Sequence, residues 1–265
     1  MGRIIALVNQ KGGVGKTTSA INIGCALANL GQKVLIVDLD PQGNASSGLG
    51  VHERVKDRNL YHVIALGTPI KDMVVSTMKD NLHLVPAAQD LAGAEVELVA
   101  LTEREWRLFK ALQPIKSLYD YILIDCPPSL GLLTINGLAA ADAVIVPVQT
   151  EYYALEGLSQ LLGTIELVRE HLKPELEILG ALLTLYDRRN RLARQVVEEV
   201  RKHFPGPVFD DVIPRSVRLA EAPSFGQSIF DFDAFSKGAR AYKSVAKEIL
   251  DRFPAESRLT DMKVV

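Results

Sequence analysis

The sequence contains little cysteine and no long uncharged apolar run. Only Cys25 and Cys126 occur among its 265 residues, too few for a disulfide scaffold or a metal site made of four cysteines. No uncharged apolar stretch reaches the roughly eighteen residues that a membrane-spanning helix needs. The N-terminus also lacks the succession of charged, apolar and small residues typical of a secretory signal. These absences favour a protein of the reducing cytoplasm.

The sequence also lacks an excess of charge of either sign. Its 30 lysines and arginines nearly balance 32 aspartates and glutamates, for a formal net charge of -2. The molecule as a whole therefore does not attract nucleic acid, and any such binding must come from a local basic patch. Hydrophobic residues make up 48% and charged residues 23%, the balance of an ordinary globular protein rather than a disordered one.

What the chain does contain is an alternation of short apolar runs and longer helical patterns. Runs rich in Ile, Val and Leu predict strands buried on both faces, as in a parallel sheet covered by helices. These predicted strands cover residues 4–9, 33–38, 82–86, 121–125, 143–148 and 178–184. Apolar residues at helical spacing predict helices over 17–30, 155–171, 192–203 and 238–252. We therefore expect an α/β fold with one doubly wound, mostly parallel sheet flanked by helices.

The same patterns predict the organisation of the chain. One domain is expected to cover residues 1–253, and no repeat or low-complexity linker interrupts it. Residues 43–80 are less periodic and predict loops and short helices over one edge of the sheet. Residues 254–265 have weak patterning and predict a flexible C-terminal tail.

A glycine-rich loop lies between the first predicted strand and the first predicted helix. It contains Lys11, Gly12, Gly13, Val14, Gly15, Lys16, Thr17 and Thr18. Glycines let the backbone wrap around phosphate oxygens, and the first N–H groups of the helix carry partial positive charge. Lys16 is placed to reach the β- and γ-phosphates, and the Thr17 hydroxyl to ligate Mg²⁺. The alternative is a glycine-rich turn with a surface lysine.

This loop departs from the usual phosphate-loop pattern at its start. Gln10 occupies the position of the first glycine, and Lys11 adds a second lysine. Lys11 is either a flexible point charge near the phosphates or a solvated surface lysine.

Acidic residues follow two of the predicted strands. Asp38 and Asp40 end the second strand, and Asp125 ends an apolar strand in the manner of a Walker B motif. In a doubly wound sheet, ligands bind beyond the carboxyl ends of the strands. One of the two neighbouring carboxylates can face metal-bound waters while the other orients a nucleophilic water, and Asp125 can hold a water of the Mg²⁺ shell. A polar turn closed by Pro41 and Gly43 is the alternative for the first pair.

In combination, these segments resemble the deviant Walker A ATPases of the ParA/MinD superfamily. Residues 38–50, 125–133, 151–157 and 212–225 are similar to the chromosomal ParA, or Soj, group, and the similarity covers nearly the whole chain. The resemblance implies an ATPase that binds ATP and Mg²⁺ and forms a homodimer with nucleotide sandwiched between subunits. It also implies non-specific binding to double-stranded DNA and slow hydrolysis stimulated by a ParB-type centromere-binding protein, for segregation of a chromosome or plasmid.

The resemblance further assigns roles to single residues. Lys11 is the signature lysine that reaches the partner subunit's nucleotide, Asp40 polarises the attacking water, and Asp38 contributes to the metal site. The backbone around Pro214, Arg215 and Ser216 cradles the adenine. Arg189 and Arg218 match the positions that bind DNA, with some ambiguity between Arg188 and Arg189.

Charge along the sequence points to the same surface independently. Residues 186–194 contain four arginines, and further basic residues follow at 215, 218, 237, 240, 243 and 247. Several of them are able to contact phosphates from one face. The alternative is a solvated, salt-bridged face, because Glu198, Glu199, Asp210 and Asp211 lie nearby in the sequence.

Three other classes share the phosphate loop. A MinD-like membrane-associated ATPase needs a basic amphipathic C-terminal helix, and Pro254 with the mixed charges after it argues against one. An iron–sulfur reductase needs two cysteines placed to bridge a cluster, which Cys25 and Cys126 are not. A signal-recognition-type GTPase needs an aspartate that selects guanine, and none is convincing. We therefore expect no stable membrane association and a cytoplasmic, nucleoid-associated protein.

Overall fold

The computed structural model describes residues 2–51, 57–151 and 154–255, apart from the side chains of 154–156. Its centre is a sheet of seven strands in the order β3-β4-β2-β5-β1-β6-β7. The strands are β1 (Arg3–Leu7), β2 (Val34–Asp38), β3 (Val75–Ser76), β4 (Leu82–Val85), β5 (Tyr121–Asp125), β6 (Ala143–Gln149) and β7 (Glu177–Thr184). All neighbours are parallel except β3 and β4. This arrangement confirms the predicted doubly wound, mostly parallel sheet.

Helices cover both faces of the sheet. The α-helices are α1 (Lys16–Asn29), α2 (Asn44–Gly48), α3 (Leu60–Ile64), α4 (Leu91–Leu98), α5 (Arg107–Leu112), α6 (Leu132–Ala140), α7 (Ala154–His171), α8 (Arg191–His203), α9 (Val217–Glu221), α10 (Ile229–Phe232) and α11 (Lys237–Arg252). Four 3₁₀ turns cover Ile70–Met73, Arg104–Trp106, Gln113–Leu118 and Ala222–Phe225. No helix of the described residues is long and apolar enough to cross a membrane.

The apolar runs of the sequence supply two cores, one on each face. Successive strand residues point to opposite faces. Ile4 and Ala6 of β1 therefore join the core under α3 to α8, whereas Ile5 and Leu7 join the core under α1 and α11. Burial on both sides explains why the strands are almost uninterrupted apolar runs.

The order of the strands determines where the loops meet. β1 lies between β5 and β6, so the chain reverses its direction of winding at this point of the sheet. Asp38 at the end of β2 pairs in register with Asp125 at the end of β5, and Leu7 of β1 also pairs with Asp125. Ligands bind at such a switch point, and the loops after β1, β2 and β5 converge there.

The predicted strands and the four predicted helices are all present, with every end within two residues of the prediction. β3 and the helices α4, α5, α6, α9 and α10 were not predicted. α6 is apolar around most of its circumference and almost fully buried, so it lacks the polar face from which helical periodicity is recognised. Within the predicted tail, the Pro254 carbonyl accepts a bond from Arg3, and the Ala255 amide donates to the Tyr121 hydroxyl. Residues 256–265 lie outside the described part of the chain.

Candidate nucleotide site

The glycine-rich loop turns from β1 into α1 and is held by side chains from its own start and from β7. Asn9 donates to the Pro147 carbonyl at 2.7 Å and accepts from the Lys11 amide at 2.9 Å. The Thr184 hydroxyl donates to the Val14 carbonyl at 2.7 Å. Gly15, with φ of 90°, has a left-handed conformation that favours glycine.

The start of α1 has no side-chain cap. The first N–H groups of an α-helix have no partner within the helix, so those of α1 remain free for a phosphate. Gly12 and Gly13 are exposed at the tip of the loop. The predicted phosphate loop therefore has the required location and shape.

Lys16 lies under the loop in a buried position. It is only 5% exposed, and its Nζ donates to the Lys11 carbonyl at 3.2 Å. Burial lowers the pKa of this ammonium, and the negative charges of Asp125 and Asp40 act in the opposite direction. The lysine thus points back into the loop, where a phosphate oxygen can replace the carbonyl as its acceptor.

Asp125 lies beneath Lys16 with an unsatisfied carboxylate. Both of its oxygens are fully buried and have no hydrogen-bond partner among the described residues. Burial and the charge of Asp38 raise its pKa well above the usual range, while the positive charge of Lys16 opposes the shift. A buried carboxylate in this condition requires a cation or a hydrogen-bond donor.

These residues fit a magnesium ion that arrives with a nucleotide. Within the described chain, no group of three or more His, Cys, Asp or Glu side chains is arranged to hold a metal directly. Mg²⁺ commonly keeps several waters and binds through one or two protein groups and the substrate phosphates. Thr17 and Asp125 are placed to supply those protein groups, with Asp38 beside Asp125 in the neighbouring strand.

Asp38 is fully buried, but unlike Asp125 it has partners. Its Oδ2 accepts from the Ser46 amide at 2.8 Å and from the Ser46 hydroxyl at 2.7 Å, and its Oδ1 accepts from the Asp40 amide at 3.3 Å. Burial raises the pKa of Asp38 to about 6, and the two bonds from Ser46 oppose that rise. Ser46 was not identified from the sequence, because a serine in a short polar turn carries no recognisable signal.

Asp40 lies at the edge of the same turn. It is 6% exposed, and its Oδ1 accepts from the Gln42 amide at 3.0 Å. The carboxylate therefore has its orientation set by the turn and keeps a second oxygen for a water molecule, as the predicted role requires.

Lys11 lies at the rim of the site rather than inside it. Its side chain is 40% exposed, and its Nζ is 3.7 Å from Glu151. The other oxygen of Glu151 pairs with Arg215 at 3.1 Å. Glu151 thus connects the loop lysine to the predicted adenine segment, a contact between residues far apart in sequence that no local pattern indicates.

A small cavity of about 90 Å³ lies beside the phosphate loop where the adenine was expected. It brings Gly15 and Thr18 together with Pro214 and Ser216. The Arg215 side chain instead turns away toward Glu151, while its amide donates to the Tyr186 carbonyl. Leu185, which the sequence did not single out, lines the cavity with a φ of 54°, an uncommon left-handed conformation for a branched side chain.

The predicted basic patch lies at a second, larger cavity of about 700 Å³. Its charged lining residues are Arg188, Arg189, Arg215, Lys237, Arg240, Asp187 and Asp211. Arg189 forms two bonds to Asp187, each at 3.2 Å. Arg188 and Arg189 are both exposed, so exposure alone does not distinguish between them.

Arg218 lies on α9, next to Val217 of the cavity lining. It pairs with Glu221 at 3.3 Å and lies 3.9 Å from Asp233. Both predicted DNA-binding arginines are therefore exposed, and both already have carboxylate partners.

The chain is similar to known proteins over nearly its whole length. The family described as "AAA domain" matches residues 2–178. The sporulation initiation inhibitor protein Soj of Bacillus subtilis is 54% identical over 94% of this chain and 98% of its own length. The chromosome partitioning protein ParA of Myxococcus xanthus is 53% identical over 95% of this chain and 89% of its own.

Solved structures agree with the fold, and one of them was solved with an ATP analogue and magnesium. A Mycobacterium smegmatis protein described as cobyrinic acid a,c-diamide synthase, solved with an ATP analogue and magnesium, has a TM-score of 0.83 and 41% identity; the match covers 94% of this chain and 95% of that one. The cell division ATPase MinD of Pyrococcus furiosus has a TM-score of 0.78 and 31% identity, with 95% and 99% of the two chains covered. ATP and Mg²⁺ are the nucleotide and metal of this protein, and the chain belongs to the ParA/Soj family of chromosome-partitioning ATPases.

Proposed function

We propose that this ATPase is a dimerisation switch that binds DNA non-specifically when loaded with ATP. The observation that carries the proposal is the contrast between the two lysines of one loop. Lys16 is buried and directed into its own phosphate loop, whereas Lys11 is 40% exposed at the rim and, among the described residues, its ammonium is paired only with the half-exposed Glu151. A lysine at the rim is available to the nucleotide of a second subunit.

Each remaining residue of the site then has one task. The loop amides, Lys16 and Thr18 hold the nucleotide, and the cavity at Pro214 and Ser216 takes the adenine. Thr17, Asp38 and Asp125 hold Mg²⁺, which neutralises phosphate charge when bound. Asp40 orients the attacking water, so hydrolysis ends the state in which two subunits share two nucleotides.

The arginine surface is proposed to contact DNA phosphates. The cavity that contains Arg189 lies outside the small cavity next to the phosphate loop, and the two share only Pro214 among their lining residues. A dimer presents this surface twice, so weak phosphate contacts combine into useful affinity. Because phosphate contacts carry no base information, such binding is independent of sequence. The cargo is a chromosome or plasmid, the protein associates with the nucleoid, and a ParB-type protein stimulates its hydrolysis.

The test is DNA binding and dimerisation measured on the same samples. Affinity for two unrelated duplexes is measured with ATP, with ADP and without nucleotide, and mass is followed by light scattering. We expect a dimer and tight binding to both duplexes only with ATP. Lys11→Ala is expected to bind ATP, remain monomeric and bind DNA weakly. Equal DNA affinity in all three nucleotide states would refute the switch.

One further arm addresses the MinD-like alternative. Vesicles containing anionic phospholipid are sedimented with the ATP-loaded protein. Co-sedimentation that survives competition by duplex DNA would support the membrane-associated alternative.

A further inference from the structure

Helix α2 (Asn44–Gly48) lies between the nucleotide site and residues 217–226, here called the arm, which contain α9 with Arg218 and the 3₁₀ turn that follows it. It follows directly from the turn that contains Asp40, and it packs on the 3₁₀ turn Ala222–Phe225, which continues from α9. This helix therefore contacts elements of both proposed sites.

On the nucleotide side, Ser46 ties α2 to Asp38. The Ser46 amide and hydroxyl both donate to one oxygen of Asp38, at 2.8 and 2.7 Å. The same hydroxyl accepts from the Ala87 amide at 3.0 Å, after the end of β4. Ser46 is only 3% exposed, so water cannot easily replace these bonds. A change in the position of Asp38 therefore reaches α2 through Ser46.

On the other side, the chain just after α2 and the arm come close enough to require glycine at one position. A β-carbon on Gly226 would lie 2.8 Å from the Gly50 Cα, whereas one on Gly48 would lie at an ordinary van der Waals distance of 3.5 Å from the Pro223 Cβ. Two backbones in direct contact leave no side chain between them to absorb a displacement.

From this contact, aromatic packing within and beside the arm extends to Arg218 on α9. Phe225 at the end of the 3₁₀ turn stacks on Phe232 with ring centroids 5.3 Å apart. The Arg218 guanidinium lies 5.8 Å from the centre of the same Phe232 ring. The packing is thus continuous from Asp38 through α2 to the arginine proposed to bind DNA.

We infer that α2, held to Asp38 by Ser46 and packed against Pro223 and Gly226, is the element through which the nucleotide site acts on the Arg218 surface. The inference rests on the proposed DNA binding. Ser46 is a positioning residue in this scheme, because it contacts Asp38 and not the nucleotide. Close-packed contacts of this kind shift as units rather than deform gradually.

The first test compares two neighbouring serines. Ser46→Ala removes the hydroxyl that joins Asp38 and the Ala87 amide, whereas Ser47→Ala removes one that donates to the Asn44 carbonyl at 3.2 Å. The readout is the ratio of duplex-DNA affinities with a non-hydrolysable ATP analogue and with ADP, measured beside ATP affinity and dimer mass. We expect Ser46→Ala to bind ATP and dimerise, but its affinity ratio should be about tenfold smaller than that of the wild-type protein. A change of this size is within the usual range of coupling between sites. Ser47→Ala is expected to keep it.

The second test approaches the contact from the arm. Gly226→Ala places a methyl group against the Gly50 backbone, whereas Gly31→Ala meets nothing within 4 Å at a comparable positive φ. Both variants carry the backbone strain of a left-handed alanine, so only the steric contact differs. We expect Gly226→Ala to lower the affinity ratio and Gly31→Ala to leave it unchanged.

The outcomes separate this inference from the proposed function. If the wild-type protein shows no difference between nucleotides, the proposed switch itself fails. If the wild-type protein does bind DNA differently with the two nucleotides, but Ser46→Ala has the same affinity ratio as Ser47→Ala, the proposed link through α2 is wrong. Parallel loss of dimer and DNA binding in Ser46→Ala would also overturn the inference, since nucleotide would then act on DNA only through dimerisation.

Discussion

The nucleotide site and the arginine surface both contain charged side chains of both signs, but these charges are paired in opposite ways. Lys16 has no carboxylate within ion-pair distance among the described residues, and Asp125 has no hydrogen-bond partner there. At the surface, Arg189, Arg215 and Arg218 each have a carboxylate between 3.1 and 3.3 Å away. The buried site therefore holds unsatisfied charges, and the exposed surface holds satisfied ones.

This difference indicates how each region responds to a ligand. An unpaired buried charge is costly, so a ligand that satisfies it gains much free energy. An exposed ion pair contributes only about 0–1 kcal/mol, so its arginine can exchange a carboxylate for a phosphate at little cost. Binding at the first site is expected to be tight and geometrically demanding, and binding at the second weak and dependent on salt.

The largest effect is expected from Lys16→Ala. It removes the buried charge that meets the nucleotide phosphates, where each charge-assisted bond contributes about 1.5–3 kcal/mol. We expect ATP affinity, measured by calorimetry, to fall by about a hundredfold or more. Lys71→Ala changes an exposed lysine outside the loop and is expected to bind ATP normally. Normal affinity in Lys16→Ala would remove the basis of the phosphate site.

Asp40→Ala is expected to separate binding from turnover. A carboxylate that orients water contributes mainly in the transition state, so its loss lowers kcat by about a hundredfold or more and changes ATP affinity little. Steady-state phosphate release and calorimetry measure the two quantities, and exposed Asp72→Ala serves as the control. If Asp40→Ala hydrolyses ATP at the wild-type rate, another group positions the water.

Asp125→Asn tests how much the unsatisfied carboxylate lowers the stability of the folded protein. The pKa of Asp125 is raised in the folded protein. The carboxyl therefore ionises less readily when folded than when unfolded, and the free energy of unfolding decreases as pH rises from the unfolded-state pKa of about 4 to the higher folded-state pKa. A neutral amide avoids this cost. We expect the nucleotide-free variant to melt about 2–4 °C higher than wild type at pH 7.5, the effect of about 1 kcal/mol in a domain of this size.

Two controls sharpen that prediction. The difference in melting temperature should shrink as pH falls toward 4, because the wild-type carboxyl is then neutral in the folded state and loses its charge in the unfolded state as well. With ATP and Mg²⁺ the order should reverse, because the variant lacks the carboxylate that the ligand satisfies. A variant that is less stable than wild type at pH 7.5 without ligand would show that Asp125 is satisfied within the protein.

The buried region was also the more predictable of the two from sequence. Residues 9–18 lie between a strand and a helix, and that local context sufficed to indicate a phosphate loop. The end of β5 was equally clear, because Asp125 interrupts an otherwise apolar run. These signals are local, and the geometry they require is set by neighbouring residues in the chain.

Contacts between distant segments were not predictable in this way. Glu151 meets Lys11 and Arg215 only because β6, β1 and the segment after β7 meet at one edge of the sheet. The pairing of Arg189 with Asp187 depends on a turn in which both the amide and the side chain of Arg189 donate to the Asp187 carboxylate. The sequence therefore predicted which arginines are exposed better than it predicted what they contact.

The smallest effects are expected at the arginine surface, where Asp187→Asn and Arg189→Ala act in opposite directions. Asp187→Asn frees Arg189 from an exposed ion pair, and such pairs contribute little, so DNA affinity should rise no more than about fivefold for each subunit in contact with DNA. Arg189→Ala should lower affinity for unrelated duplexes equally and flatten the slope of log affinity against log salt by up to about 2, since each phosphate contact contributes roughly 0.9 and a dimer has two copies. Fluorescence anisotropy over a series of salt concentrations measures both, and Arg218→Ala should resemble Arg189→Ala. An unchanged slope in both arginine variants would identify this surface as a solvated, salt-bridged face and place the DNA contacts elsewhere.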